Sequence, residues 1–136
     1  MTDLLKDAYI VAATRTPIGK SGRGVFKNTR PDDLLVAAIK NALSQVPTLD
    51  PAAIEDAIIG CAMPEAEQGM NVAKIAALLS GLPKTVAGAT VNRFCAAGIT
   101  AVSMAADRIR VGEADVMIAG GVESMSMVPM GGNKPS

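Results

Sequence analysis

The sequence alternates short apolar segments with segments of helical periodicity. Four apolar, partly β-branched runs predict strands, at residues 9–13, 57–61, 86–91 and 116–119. Three stretches with apolar residues at helical spacing predict helices that begin at or near Pro31, Val72 and Ala96. Strands and helices in alternation favour a parallel sheet with helices on both faces, joined by right-handed crossovers. The predicted fold class is therefore an open α/β layer structure.

The bulk composition excludes several classes of protein. The 136 residues fit one domain, so we predict a single unit over residues 1–136. Thirteen basic residues balance thirteen acidic ones, and three aromatic residues are too few to stack bases, which excludes nucleic-acid binding. No apolar run approaches the roughly 20 residues that cross a bilayer, and residues 1–7 lack the pattern of a signal peptide. We expect a soluble, unexported protein in the cytoplasm, with no membrane partner.

Cysteine and histidine usage narrows the chemistry further. The two cysteines, Cys61 and Cys95, are 34 positions apart and form no Cys-x-x-Cys pair, so neither a disulfide framework nor a metal site is indicated. Free thiols fit a reducing compartment. The chain has no histidine, so its own residues cannot form a Cys–His pair.

Cys95 is the candidate nucleophile because of its position. It falls between the third predicted strand and the third predicted helix, and sites in open parallel sheets collect at the carboxyl ends of strands. The partial positive charge and unpaired N–H groups of a helix amino terminus favour a thiolate and can stabilise an oxyanion. Small neighbours at residues 96–98 leave the thiol approachable. The alternative is a core cysteine that packs as a small hydrophobe.

Other polar features of the sequence favour structural interpretations. Cys61 ends the second predicted strand with no helix directly after it, so we expect it to be packed. The glycine-rich loop at 19–24 lacks the spacing of a Walker or dinucleotide motif. Five positive charges without an acid fall within sixteen residues; a solvated loop or a subunit contact is favoured over a site for a phosphate-bearing ligand or an acidic partner. These residues are Arg15, Lys20, Arg23, Lys27 and Arg30.

Four segments carry a family resemblance. In chain order they read TRTPIG at 14–19, QGMN at 68–71, VNRFCAAG at 91–98 and AGGVESMS at 119–126. Together they resemble the thiolases, more particularly the 3-ketoacyl-CoA thiolases and acetyl-CoA acetyltransferases, along the whole chain. The resemblance implies a thiolase-type half-domain, with residues 1–136 as the amino-terminal part of a longer enzyme.

The resemblance also implies an activity. Cys95 would be acylated in a coenzyme-A-dependent cleavage of 3-ketoacyl-CoA to acetyl-CoA and a shortened acyl-CoA, the reverse of a Claisen condensation, and its backbone N–H would contribute to an oxyanion hole. Coenzyme A and acyl-CoA would be substrates rather than permanently bound cofactors, and the enzyme would be a homo-oligomer. The family's activating histidine, second cysteine and coenzyme A loop would lie further on, so this chain alone would be inactive.

Two details bear on the subtype. Asn92–Arg93 and the segment 121–124 resemble the degradative branch, which serves β-oxidation of fatty acids. Ala96–Ala97 stand where Ser or Gly often follows the family's cysteine, which leaves substrate preference open.

Two alternative functions remain for the chain. It could be a non-catalytic half-domain that acts as an assembly or interaction piece, or a redox or acyl-binding module that uses Cys95 without turnover.

Overall fold

A computed structural model describes residues 5–132 as three strands and three α-helices with two short 3-10 turns. The helices are α1 (Pro31–Ser44), α2 (Val72–Leu79) and α3 (Ala97–Arg110). The strands are β1 (Asp56–Gly60), β2 (Ala87–Val91) and β3 (Met117–Gly121). All six elements match sequence predictions to within about two residues. The single unit over 1–136 stays a prediction, since its first and last four residues lie outside the described part.

The sheet is parallel, with the strand order β2-β1-β3. Gly60, the last residue of β1, pairs with Val91 on one side and with Gly121 on the other. The carboxyl ends of all three strands are therefore level at one edge of the sheet. The central strand β1 is buried along its whole length.

The predicted first strand, residues 9–13, is wrong. Tyr9, Ile10 and Val11 are 73–79% exposed, and no strand covers them. Both edges of β1 are already paired, with β2 and β3. The backbone of Ala13 pairs instead with a side chain: its N–H donates to Gln45 Oε1 at 3.3 Å, and its carbonyl accepts from Gln45 Nε2 at 3.2 Å. The described residues therefore form a sheet of three strands, not four.

Helices cover both faces of the sheet, as predicted. On one face, α2 packs against β1 and α1 packs against α2, and Leu35, Ile39 and Ile59 belong to one core cluster. On the other face, Ala101 and Ala105 of α3 pack against Ile58. The alternation of β1 side chains between the two faces is what a strand requires.

The buried face of α3 differs from the one that the sequence predicts. The helical spacing of Ile99, Val102, Ala106 and Ile109 predicts that these residues share the buried face, but Ile99 is 71% exposed. The fully buried positions are instead Ala97, Ala101 and Ala105. Because these side chains are small, the α3 backbone comes close to the sheet. The helix ends close to the predicted place: Arg110 is its last residue, Val111 caps it, and Gly112 follows with φ +77°.

Candidate active site

Cys95 lies in the turn that connects β2 to α3. It follows the last residue of β2 by four positions and precedes the first helical residue, Ala97, by two. The capping residue is Ala96, so Cys95 stands one position further from the helix than the sequence suggested. Its side chain is exposed. The structure therefore places the predicted nucleophile at the carboxyl edge of the sheet, beside a helix amino terminus.

Hydrogen bonds hold the turn in an uncommon backbone conformation. Phe94 has φ +46°, in the left-handed region, which costs a non-glycine residue on the order of 1–3 kcal/mol. The Asn92 carboxamide Oδ1 accepts the Phe94 N–H at 2.8 Å. The carbonyls of Arg93 and Phe94 accept the N–H groups of Ala96 and Ala97 at 3.1 and 3.0 Å. These contacts offset the cost and fix the place of Cys95.

The amino terminus of α3 has no side-chain cap. Ala96 occupies the capping position, and its methyl group cannot accept a hydrogen bond from the first turn. The N–H groups of this turn carry the positive end of a 14-residue helix. N–H groups of this turn can donate hydrogen bonds to an oxyanion.

Glycines let the first turn of α3 sit directly on the sheet. A Cβ atom added to Gly60 would lie 2.3 Å from the carbonyl carbon of Ala97, and one added to Gly121 would lie 3.3 Å from the Cα of Gly98. Only a residue without a side chain fits at Gly60. The ends of β1 and β3 therefore support the helix terminus next to Cys95.

Gln68 is a buried polar residue at this edge of the sheet, with 0% exposure. Its Oε1 accepts the Ser124 N–H at 2.9 Å, and its Nε2 donates to the Met63 carbonyl at 2.8 Å. The second Nε2 hydrogen bond goes to Glu123 Oε1. Every donor of the Gln68 amide is used, so the loops after β1 and β3 are tied together.

Glu123 and Asn92 hold the loop after β1 from two sides. Glu123 Oε2 accepts the Ala62 N–H at 2.6 Å, and Asn92 Nδ2 donates to the Ala62 carbonyl at 3.0 Å. Sequence reasoning assigned neither residue a role, although both stand in the segments that carry the family resemblance. The available signal was position: Asn92 directly follows β2, and Glu123 follows β3 by two residues.

Cys61 is packed, as predicted. It is 1% exposed and belongs to the core cluster beneath α1 and α2. Burial, with a smaller contribution from the Glu123 carboxylate, raises the pKa of the Cys61 thiol to about 11. Of the two thiols, only Cys95 is both exposed and placed at a helix terminus.

Two of the five basic residues of the 15–30 segment have partners close to them in the sequence. Arg30 pairs with Asp32 at 2.9 Å, and Arg15 donates to the Thr16 carbonyl at 3.2 Å. The loop itself is held by the Gly22 N–H, which donates to Ser126 Oγ at 2.9 Å. The predicted structural interpretation is consistent with these contacts.

A cavity of about 250 Å³ lies between residues 12–16, α1 and β3, and a second of about 220 Å³ lies between residues 16–21 and the loop after β3. Cys95 lines neither cavity, and among residues 5–132 its side chain is exposed to solvent.

The described residues contain no cluster of three or more acidic, cysteine or histidine side chains that could hold a metal ion. No helix among them is long and apolar enough to cross a membrane.

Comparison with known proteins identifies relatives along nearly the whole chain. A family profile described as "Thiolase, N-terminal domain" matches residues 8–135. The 3-ketoacyl-CoA thiolase of Bacillus subtilis (strain 168) is 47% identical over 129 residues, which are 95% of this chain and 33% of that protein. The 3-oxoadipyl-CoA/3-oxo-5,6-dehydrosuberyl-CoA thiolase of Escherichia coli (strain K12) is 45% identical over 92% of this chain and 31% of that protein.

A solved structure shares the fold. The crystal structure of the Bacillus anthracis acetyl-CoA acetyltransferase superimposes with a TM-score of 0.86 at 36% identity, over 94% of this chain and 32% of that one. The chain thus spans about a third of the length of the relatives it matches. By its profile match, its relatives and its fold, this chain belongs to the thiolase family and corresponds to the family's amino-terminal domain.

Proposed function

We propose that Cys95 is the nucleophile of a thiolase-type acyl transfer, the coenzyme-A-dependent cleavage of a 3-ketoacyl-CoA to acetyl-CoA and a shortened acyl-CoA. One observation supports the proposal above all: Cys95 is exposed and lies two residues before α3, in a turn that hydrogen bonds hold in place. The names of the relatives, 3-ketoacyl-CoA thiolase and acetyl-CoA acetyltransferase, support the reaction class. The second thiol, Cys61, is buried and poorly suited to attack.

The proposed cleavage has two halves. In the first, the Cys95 thiolate attacks the keto carbon, and the bond between that carbon and the neighbouring methylene carbon breaks. The bonding electrons form the enolate of acetyl-CoA, which takes up a proton, while the acyl group remains on Cys95 as a thioester. In the second half, free coenzyme A gives up its thiol proton, which balances the proton taken up in the first half, and its sulfur attacks this thioester to release the shortened acyl-CoA and the Cys95 thiolate. The condensation direction reverses these steps.

The chain supplies two parts of this chemistry in the proposal. Cys95 provides the sulfur, and its own backbone N–H, together with the uncapped first turn of α3, provides donors for the oxygen that gains charge. The chain contains no histidine. On the pattern of the family that it belongs to, we assign the proton transfers and the binding of coenzyme A to groups outside these residues.

Further aspects of the proposal concern substrate, assembly and location. Acyl-CoA and coenzyme A are taken as transient substrates, with no permanently bound cofactor, in the degradative β-oxidation branch. A homo-oligomer is proposed because large apolar side chains such as Ile10, Val11 and Phe94 are 67–79% exposed. The cytoplasm is proposed as the location because both cysteines are free thiols.

The test is a turnover assay with a matched cysteine control. This chain is joined to the part of the Bacillus subtilis relative that it does not cover, and coenzyme-A-dependent loss of a short 3-ketoacyl-CoA is followed. Cys95→Ala should lower kcat by more than about a thousandfold, as loss of a covalent nucleophile does, and Cys61→Ala should retain activity. Turnover that survives Cys95→Ala would favour a non-catalytic half-domain instead.

A further inference from the structure

We infer that Glu123 is a positioning residue for Cys95, and that it acts through Ala62 and Asn92. The inference rests on the proposed function only in calling Cys95 the nucleophile; the coupling itself is a property of the fold. Glu123 lies in the loop after β3, whereas Cys95 lies in the turn after β2, and β1 separates those strands in the sheet. A connection between them must therefore pass over the carboxyl end of β1.

Three successive hydrogen bonds make this connection. Glu123 Oε2 accepts the Ala62 N–H at 2.6 Å, Asn92 Nδ2 donates to the Ala62 carbonyl at 3.0 Å, and Asn92 Oδ1 accepts the Phe94 N–H at 2.8 Å. Phe94 is bonded directly to Cys95. Both groups of the Asn92 carboxamide are used, so the amide can satisfy the two contacts in one orientation only.

A carboxylate is required at the start of this connection. Its two oxygens face two N–H donors, the backbone N–H of Ala62 and the side-chain amide of Gln68. The amide of Gln68 cannot turn over, because its own oxygen accepts the Ser124 N–H and its nitrogen also donates to the Met63 carbonyl. A glutamine at position 123 would therefore oppose one N–H donor with another, and the Ala62 contact or the Gln68 contact would be lost.

The position of Cys95 depends on the last of these hydrogen bonds, the one between Asn92 and Phe94. Phe94 holds a left-handed backbone conformation at φ +46°, which Asn92 stabilises. When Ala62 loses Glu123, it no longer presents its carbonyl firmly to Asn92, and Phe94 can relax to an ordinary φ. The thiol then moves away from the amino terminus of α3, whose N–H groups can stabilise negative charge that develops during attack. Cys95 should become less reactive without any change at Cys95 itself.

The experiment combines amide exchange with thiol labelling in the 136-residue chain. Hydrogen–deuterium exchange, resolved by residue with NMR, and the rate of Cys95 alkylation by iodoacetamide are measured for wild type, Glu123→Gln, Asn92→Ala and the double variant. Glu55→Gln is the matched control, since Glu55 Oε1 also accepts a backbone N–H, that of Asp115 at 2.9 Å, near the other end of the sheet. Protection of the Ile59 amide in the central strand reports that each sample is folded.

A change at Glu123 is expected to affect Phe94 and Cys95, neither of which it contacts directly. Glu123→Gln should speed exchange at Phe94 as well as at Ala62, and should slow Cys95 alkylation about three- to tenfold, while Glu55→Gln should leave both as in wild type. The double variant should be slowed no more than the slower single variant, because both changes interrupt one connection. If Glu123→Gln fails to fold, Asn92→Ala on the exposed turn gives the reciprocal test: the Ala62 amide should exchange faster.

Other results would overturn it. If folded Glu123→Gln shows wild-type exchange at the Phe94 amide and a wild-type rate of Cys95 alkylation, the Glu123 contact acts only locally. The same conclusion follows if the double variant slows alkylation by the product of the two single effects, because the two residues then act independently. An unchanged Ala62 amide in Asn92→Ala would do the same. None of these measurements needs turnover, so they stand apart from the cleavage assay, which alone decides whether Cys95 is the nucleophile.

Discussion

Gly60 and Ala97 are in direct backbone contact, and this contact seats the amino terminus of α3 on the central strand. A Cβ atom at Gly60 would lie 2.3 Å from the Ala97 carbonyl carbon and 2.4 Å from its oxygen. Because both are backbone atoms, no side-chain rotation can relieve the overlap. The turn that carries Cys95 is therefore supported by a position where no side chain fits.

Gly60→Ala should destabilise the fold and displace the turn before α3. We expect a loss of about 1–3 kcal/mol or more in the free energy of unfolding, measured by urea denaturation, from overpacking against a rigid backbone. Gly120→Ala is the matched control, since its added Cβ would lie 3.6 Å from Ile59 Cδ1, an ordinary contact. Equal stability of the two variants would contradict the close seating of α3.

Gln68→Ala should be more destabilising than an ordinary polar truncation. It leaves the buried N–H of Ser124 and the partly buried carbonyl of Met63 without their partner, and the loss at a buried group costs about 1–3 kcal/mol. We expect a loss of roughly 2–4 kcal/mol in unfolding free energy. Gln45→Ala removes two exposed contacts to Ala13 and should cost under about 1 kcal/mol. Denaturation midpoints in the reverse order would contradict this network.

The two cysteines should differ strongly in reactivity. Cys61 is 1% exposed, and its pKa is raised from 9.0 to about 11, which lowers its thiolate fraction at neutral pH about a hundredfold relative to an unperturbed thiol. Cys95 should therefore be alkylated first in the folded chain, and Cys61 only after unfolding. Peptide mapping after brief iodoacetamide treatment at pH 7.5 checks this. Equal labelling of both peptides in the folded chain would be incompatible with the structure.

The raised pKa of Cys61 also predicts a pH dependence of stability. The unfolded chain loses this proton near pH 9 and the folded chain near pH 11, so the unfolded state binds fewer protons between these values. The contribution of Cys61 to stability is complete below about pH 9 and is lost as the pH rises towards 11. Urea denaturation of wild type and Cys61→Ala should show a steeper decline in that window for wild type. Parallel curves would mean that burial does not perturb this thiol.

Local patterns in the sequence predicted most of the elements, because helix starts at Pro31 and Val72 and apolar runs at β1, β2 and β3 are properties of neighbouring residues. Local patterns could not predict which strands pair with one another in the sheet. The apolar run at 9–13 looks like a strand, yet both edges of β1 are paired with other strands.

The position of Cys95 between a strand end and a helix start was predictable from the sequence, whereas the contacts that support its turn were not. Cys95 stood out because a strand end and a helix start flank it. The contact between Gln68 and Glu123 joins residues 55 positions apart, and nothing in either local sequence signals the other. The buried alanine face of α3 likewise depends on Gly60, a distant residue that allows close approach.

The measurement that tests the central claim most directly is the capture of an acyl group on Cys95. The chain, joined to the remaining part of the Bacillus subtilis relative, is incubated with a short 3-ketoacyl-CoA without free coenzyme A, quenched in acid and mapped by mass spectrometry of its peptides. The account predicts an acyl thioester on the peptide that contains Cys95, which disappears when coenzyme A is added before quenching. Acylation of Cys61 or of another residue, with Cys95 unmodified in an enzyme that turns over, would contradict it.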